Sequence, residues 1–191
     1  MVRMRSEKKG ERENKMRETE KGRIHIYCGD GKGKTTAAMG LAVRAAGRGK
    51  RVLISRFLKT EDSGEVPILR EIPGIQVMPC KKSFGFTFQM SPEEKIQAGA
   101  YYTEQLKEAC ALAGEADLLI LDEIFGVCQS GLVDHGLVDE FLVKKPEGLE
   151  VVLTGRGPWE EVLSQADYIT EMKAVRHPFE NGIGARKGIE Y

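Results

Sequence analysis

The chain has no surplus of charge: its 29 Lys and Arg residues are matched by 29 Asp and Glu. A dedicated nucleic-acid binder carries a basic footprint, so the balance argues against that class, though not against a local basic pocket for phosphate. Long apolar runs are missing as well. None approaches the about 20 residues that a membrane helix needs. The charged N-terminus lacks the apolar segment of a secretory leader. Cysteine is sparse. Cys28, Cys80, Cys110 and Cys128 are scattered and form no C-x-x-C pair, which argues against a zinc site or redox motif and for reduced thiols in a cytoplasmic protein. No Ser-His-Asp or Cys-His constellation stands out, and there are only 3 histidines.

What remains is an ordinary globular composition, 41% hydrophobic and 30% charged, over 191 residues. That suits one domain with a single core. Residues 1–22 are nearly all polar or charged with both signs mixed. Such a segment buries too little to fold alone, so it reads as a flexible tail. The alternative is a mixed-charge helix ordered by a partner or over an active site. Residues 23–191 form the domain.

From Arg23 onward, strands and helices alternate. Apolar strands are expected at Ile24–Cys28, Arg51–Phe57, Ile75–Met78, Asp117–Asp122, Leu149–Thr154 and Tyr168–Met172. Helices are expected over Lys34–Gly49, from the Ser91-Pro92-Glu93-Glu94 capping box to Ala113, and over Val133–Val143 and Trp159–Ala166. Alternation of this kind implies an α/β fold with a mainly parallel sheet and helices on both faces. Ligands of such sheets lie beyond the carboxyl ends of the strands.

The first strand runs into Gly29-Asp30-Gly31-Lys32-Gly33-Lys34-Thr35-Thr36 and then into a helix. That is the context of an ATP-binding P-loop. Glycines let successive N–H groups curl toward an anion, and the helix start adds its dipole. Lys34 would set an ammonium on the phosphates and the Thr35 hydroxyl would ligate Mg²⁺. Lys32 faces either phosphate or solvent. Cys28 stands at the first glycine position of the consensus. The strand ending in Asp122 and Glu123 is a Walker B pattern, and either carboxylate is a candidate metal ligand. Arg156, in the turn Thr154-Gly155-Arg156-Gly157, would clamp phosphate. Taken alone, this site also serves a phosphoryl-transfer enzyme or an ATP-gated binding module.

The later segments narrow the choice. The run Ala37-Ala38-Met39-Gly40, the loop Gly85-Phe86-Thr87-Phe88, Leu121-Asp122-Glu123, Thr154-Gly155-Arg156-Gly157, Ala166-Asp167, and the ending from His177-Pro178-Phe179 to Gly188-Ile189-Glu190-Tyr191 go together. With the phosphate loop they resemble the P-loop corrinoid adenosyltransferases, which also lack the first Walker glycine. The resemblance covers Gly22 to Tyr191. It implies a RecA-like P-loop NTPase fold and transfer of the 5′-deoxyadenosyl group of ATP to the Co(I) of a corrinoid, with release of triphosphate. Mg²⁺ (or Mn²⁺) and a corrinoid acceptor are implied, as are an electron donor such as a reduced flavoprotein and a homodimer. Lys34 and Arg156 would be catalytic. Phe86, Thr87 and Phe88 would line the corrinoid site, where aromatics displace the lower cobalt ligand and ease reduction. The best-known members carry tryptophan at the position of Phe88. Phe84, Phe86 and Phe88 alternate in this loop and could line a pocket for a flat ring, but on residue type alone an ordinary core is the better reading. His177 and Trp159 read as structural.

Overall fold

A computed structural model describes residues 21–85 and 87–190. The expectations for the first 20 residues and for Phe86 lie outside the described residues. Six strands form one sheet: β1 (Ile24–Cys28), β2 (Val52–Arg56), β3 (Ile75–Val77), β4 (Leu118–Asp122), β5 (Glu150–Thr154) and β6 (Tyr168–Glu171). Their order is β3-β2-β4-β5-β1-β6, and every pair is parallel. Parallel neighbours need crossovers, which the helices α1 (Lys34–Ala46), α2 (Glu65–Glu71), α3 (Pro92–Leu112), α4 (Ile124–Gln129), α5 (His135–Lys144) and α6 (Glu160–Gln165) supply or flank.

The central strands are buried on both sides, so they read as unbroken apolar runs. Alternate residues feed two cores. Val52, Ile54, Ile120 and Val152 pack with Ala38, Met39, Ala42 and Ala45 of α1 and Val66 and Leu69 of α2. Leu53, Leu119, Leu121, Val151 and Leu153 pack on the other face with α3, α4, α5 and α6. Helices therefore cover both faces, as the alternating pattern implied.

Two helices were not visible in the sequence. α2 follows Gly64 and α4 follows Glu123, and neither has a side-chain cap. Both are also short, at 7 and 6 residues. By contrast, α3 starts as its sequence indicates. The Ser91 side chain accepts from Glu94 N, and Ser91 N donates to the Glu94 carboxylate at 2.8 Å. The strand β6 is exposed throughout, as befits an edge.

Candidate active site

The segment joining β1 to α1 curls because its glycines permit it. Gly29 and Gly33 have φ of 102° and 115°, a left-handed region that side chains disfavour. A Cβ on Gly29 or Gly31 would meet the Met172 carbonyl oxygen at 2.4 or 2.7 Å. That close approach is used: Gly31 N donates to Met172 O at 2.7 Å. The chain leaving β6 thus braces the loop from outside.

α1 opens at Gly33 with no side-chain cap and no acidic residue in its first turn. Its leading N–H groups therefore stay available to an anion, and its dipole favours one. Lys34 Nζ donates to Gly29 O at 2.7 Å and Gly31 O at 2.8 Å, which folds the ammonium into the curl of the loop. Burial pushes the Lys34 pKa down, while the charge of Glu123 works the other way.

Asp30 puts a negative charge in a loop suited to anions, and the geometry explains how. Its carboxylate turns outward to accept from Ala174 N at 2.9 Å, a bond that holds its pKa below the ordinary carboxylate value. Arg156, exposed in the turn after β5, donates to Asp30 O at 3.3 Å. Lys32 stays half exposed to solvent. It pairs with Glu190 Oε1 at 3.0 Å, and Glu190 also accepts from Arg186. These ties draw the C-terminal segment over the loop. A cavity of about 760 Å³ opens between them, lined by Lys32, Arg176, Phe179, Ile183 and Arg186 among others.

β4 delivers the two acidic residues to the same edge. Asp122 is fully buried. It accepts from Thr35 Oγ1 at 2.9 Å and from Thr154 Oγ1 at 2.7 Å. Thr154 in turn accepts from Glu123 N at 2.9 Å, so one hydroxyl links both acidic residues to β5. Glu123 has φ of 63°, which swings its side chain away from the line of the strand. Its carboxylate lies over Gly126, where a Cβ would stand 2.8 Å from Glu123 Oε1. Burial pushes the Glu123 pKa up, and the neighbouring charge of Asp122 adds to that.

The donor set suits a hard cation that brings its own ligands. Among the described residues no group of three or more His, Cys, Asp or Glu could hold a metal ion. A hydroxyl and a buried carboxylate at 2.9 Å are what Mg²⁺ takes from a protein when phosphates and water complete its shell. Covalent catalysis through sulfur finds no support: all four thiols are free, and burial pushes Cys110 and Cys128 up to about 12.

The chain matches the family described as "ATP:corrinoid adenosyltransferase BtuR/CobO/CobP" over residues 20–191. It belongs to that family. The corrinoid adenosyltransferase of Escherichia coli (strain K12) is 35% identical over 175 residues, covering 90% of this chain and 87% of that protein. The corrinoid adenosyltransferase CobA of Salmonella typhimurium gives the same identity and coverage. The corrinoid adenosyltransferase of Sinorhizobium sp. is 31% identical over 190 residues, 97% of this chain and 89% of that protein.

The corrinoid adenosyltransferase loop is split in character. Phe84 is half-buried at the margin of the core and packs against the rings of Tyr101 and Tyr102 at 5.6 and 5.8 Å. Thr87 and Phe88 lie on a single 3₁₀ turn, Thr87–Gln89, with Phe88 79% exposed. An aromatic ring held that open is not core. His177 Nδ1 accepts from Phe179 N at 3.2 Å at the start of a 3₁₀ turn. Trp159 packs edge-on against Phe125 and donates to Asp139 at 3.0 Å. The link made by Thr154 and the clasp of Glu190 on Lys32 were not legible in the sequence. Each joins segments over 30 residues apart through one side chain, a pairing that no local pattern encodes.

Proposed function

We propose that this chain transfers the 5′-deoxyadenosyl group of ATP to the Co(I) centre of a corrinoid at the edge formed by the P-loop, Asp122 and Arg156. The observation that carries the reading is the loop itself. An uncapped helix start, Lys34 and the Thr35–Asp122 pair converge there, inside a chain of the corrinoid adenosyltransferase family.

The reaction is a displacement. The Co(I) electron pair forms a bond to the ribose 5′ carbon. The carbon–oxygen bond to the α-phosphate breaks, triphosphate leaves with that electron pair, and cobalt is formally oxidised to Co(III). Co(I) is nucleophilic as it stands, so no general base is needed. The protein's work is to aim the 5′ carbon and to neutralise the leaving group. Backbone N–H groups of Gly29–Thr36 and the Lys34 ammonium bind the phosphates. Arg156 reaches them from the β5 side, where it already touches the loop. Thr35 and Asp122 hold Mg²⁺ (or Mn²⁺), with Glu123 beside them; when bound, the ion supplies positive charge against the triphosphate. Thr87 and Phe88 face the corrinoid.

Family membership supports two further parts of the proposal: a reduced flavoprotein or similar donor delivers the electron that makes Co(I), and two copies of the chain form the working unit in the cytoplasm. Among the described residues no helix is long and apolar enough to cross a membrane.

Lys34→Ala tests the site. With chemically reduced cob(I)alamin and saturating ATP, turnover should fall by about 10²–10³ or more. Near-normal turnover would remove the P-loop from the mechanism.

A further inference from the structure

One cation at this edge is left without a role by the family motifs. β2 and β4 pair in register, so Arg56 lies opposite Asp122. The chain leaving β2 must then cross the end of β4. Phe57 N donates to Asp122 O at 2.8 Å. Leu58 takes φ of 54°, a left-handed turn that is uncommon outside glycine. The next residue, Lys59, brings its Nζ to 4.0 Å from Asp122 Oδ2.

The loop that carries Lys59 is anchored on both sides. The Arg56 guanidinium, 1% exposed, donates to Thr60 O at 3.0 Å and to Glu61 Oε1 at 3.3 Å. Glu61 is held from its other side by Arg70 at 2.7 Å and accepts from Cys80 N. So much fixed structure around one lysine sets its position. Yet Lys59 does not close onto Asp122. At 4.0 Å it is an ion pair without a hydrogen bond, whereas Asp122 already accepts from Thr35 and Thr154. Its charge is also the foremost one opposing the burial of Glu123. The ammonium is thus aimed at the edge where the phosphates bind, with donors to spare.

We propose that Lys59 is a further catalytic residue, whose ammonium contacts the triphosphate from the β2 side, across the site from Lys34, and stabilises the charge released as the 5′ carbon–oxygen bond breaks. This rests on the transfer reading above. The flexible four-carbon stem lets a lysine held near a carboxylate swing onto a phosphate oxygen when one arrives. Asp122 would then be left to the divalent cation.

The test uses the full chain with Lys59→Met and Lys59→Arg. It measures turnover with chemically reduced cob(I)alamin at saturating ATP and Mg²⁺, and the affinity for inorganic triphosphate by calorimetry. For Lys59→Met, kcat should fall about 100-fold and triphosphate affinity tenfold or more, with the corrinoid KM and the melting temperature unchanged. Lys59→Arg should recover much of both. Wild-type kcat and triphosphate affinity in Lys59→Met would overturn the inference. So would a lower kcat at unchanged triphosphate affinity, because Lys59 would then act only through Asp122. If Lys59 merely holds the place of the divalent cation, Lys59→Met would bind Mg²⁺ more tightly at undiminished kcat, which also refutes the contact. Should the wild-type chain bind triphosphate through Lys59 but form no cobalt–carbon bond, the phosphate contact stands and the transfer reading fails.

Discussion

At the scale of single residues, Glu123 carries the most physical tension. It sits in a left-handed conformation, largely buried beside a second carboxylate. Burial is the larger cause of its raised pKa and Asp122 the lesser one. The sign of the linkage follows: the folded state binds the Glu123 proton more tightly than the unfolded state does. Its contribution to stability is therefore full below the ordinary carboxylate pKa and is lost as pH rises through the raised folded value. Glu123→Gln removes that loss. In thermal melts the variant should gain stability over wild type as pH rises from 4 to 8, and the difference should vanish at the acid end. A difference independent of pH would mean that Glu123 is not the titrating group. Asp122 is distinct from it: it is fully buried and accepts from the hydroxyls of Thr35 and Thr154. The sequence showed the acidic pair but not this difference in surroundings, because backbone conformation rather than residue type separates the two.

At the scale of elements, local chemistry decided what could be read. All six strands stand where apolar runs place them, within one or two residues at their ends. α3 was legible from its capping box. Ser91→Ala removes the side-chain acceptor for Glu94 N at 3.2 Å and should cost about 1 kcal/mol, seen as a fall of about 2–4 °C in melting temperature. No change would mean that the helix start is held by packing alone. α2 and α4 lack such a signal, so nothing marked where they begin. The loop before α3 mixes roles that alternation alone could not sort: Phe84 is packed between tyrosines, whereas Phe88 is open. If the open ring excludes the lower cobalt ligand, Phe88→Ala should slow the reaction from Co(II) at least tenfold more than the reaction from Co(I), since the lost ring matters before reduction; tenfold is about 1.4 kcal/mol. Equal losses in rate assays from the two starting states would assign the ring to packing.

At the scale of the whole molecule, the site is a product of strand order. β1 and β4 are separated by β5 alone. The order thereby brings a loop near residue 30, an acidic pair near 122 and a turn near 156 to one edge, and β2 adds Lys59. The C-terminal segment finishes the arrangement by bonding to Asp30, Gly31 and Lys32. Parallel order was foreseeable from strands alternating with helices. The sequence of neighbours was not, since crossovers leave no mark in residue type.

The claim that unites these scales is that the P-loop here serves alkyl transfer rather than phosphoryl transfer. Its most direct test mixes the chain with ATP, Mg²⁺ and chemically reduced cob(I)alamin without oxygen, and follows both the visible spectrum and the phosphate products. The account predicts a light-sensitive cobalt–carbon product and one triphosphate for each one formed. Release of ADP or orthophosphate with no alkylated corrinoid would contradict it.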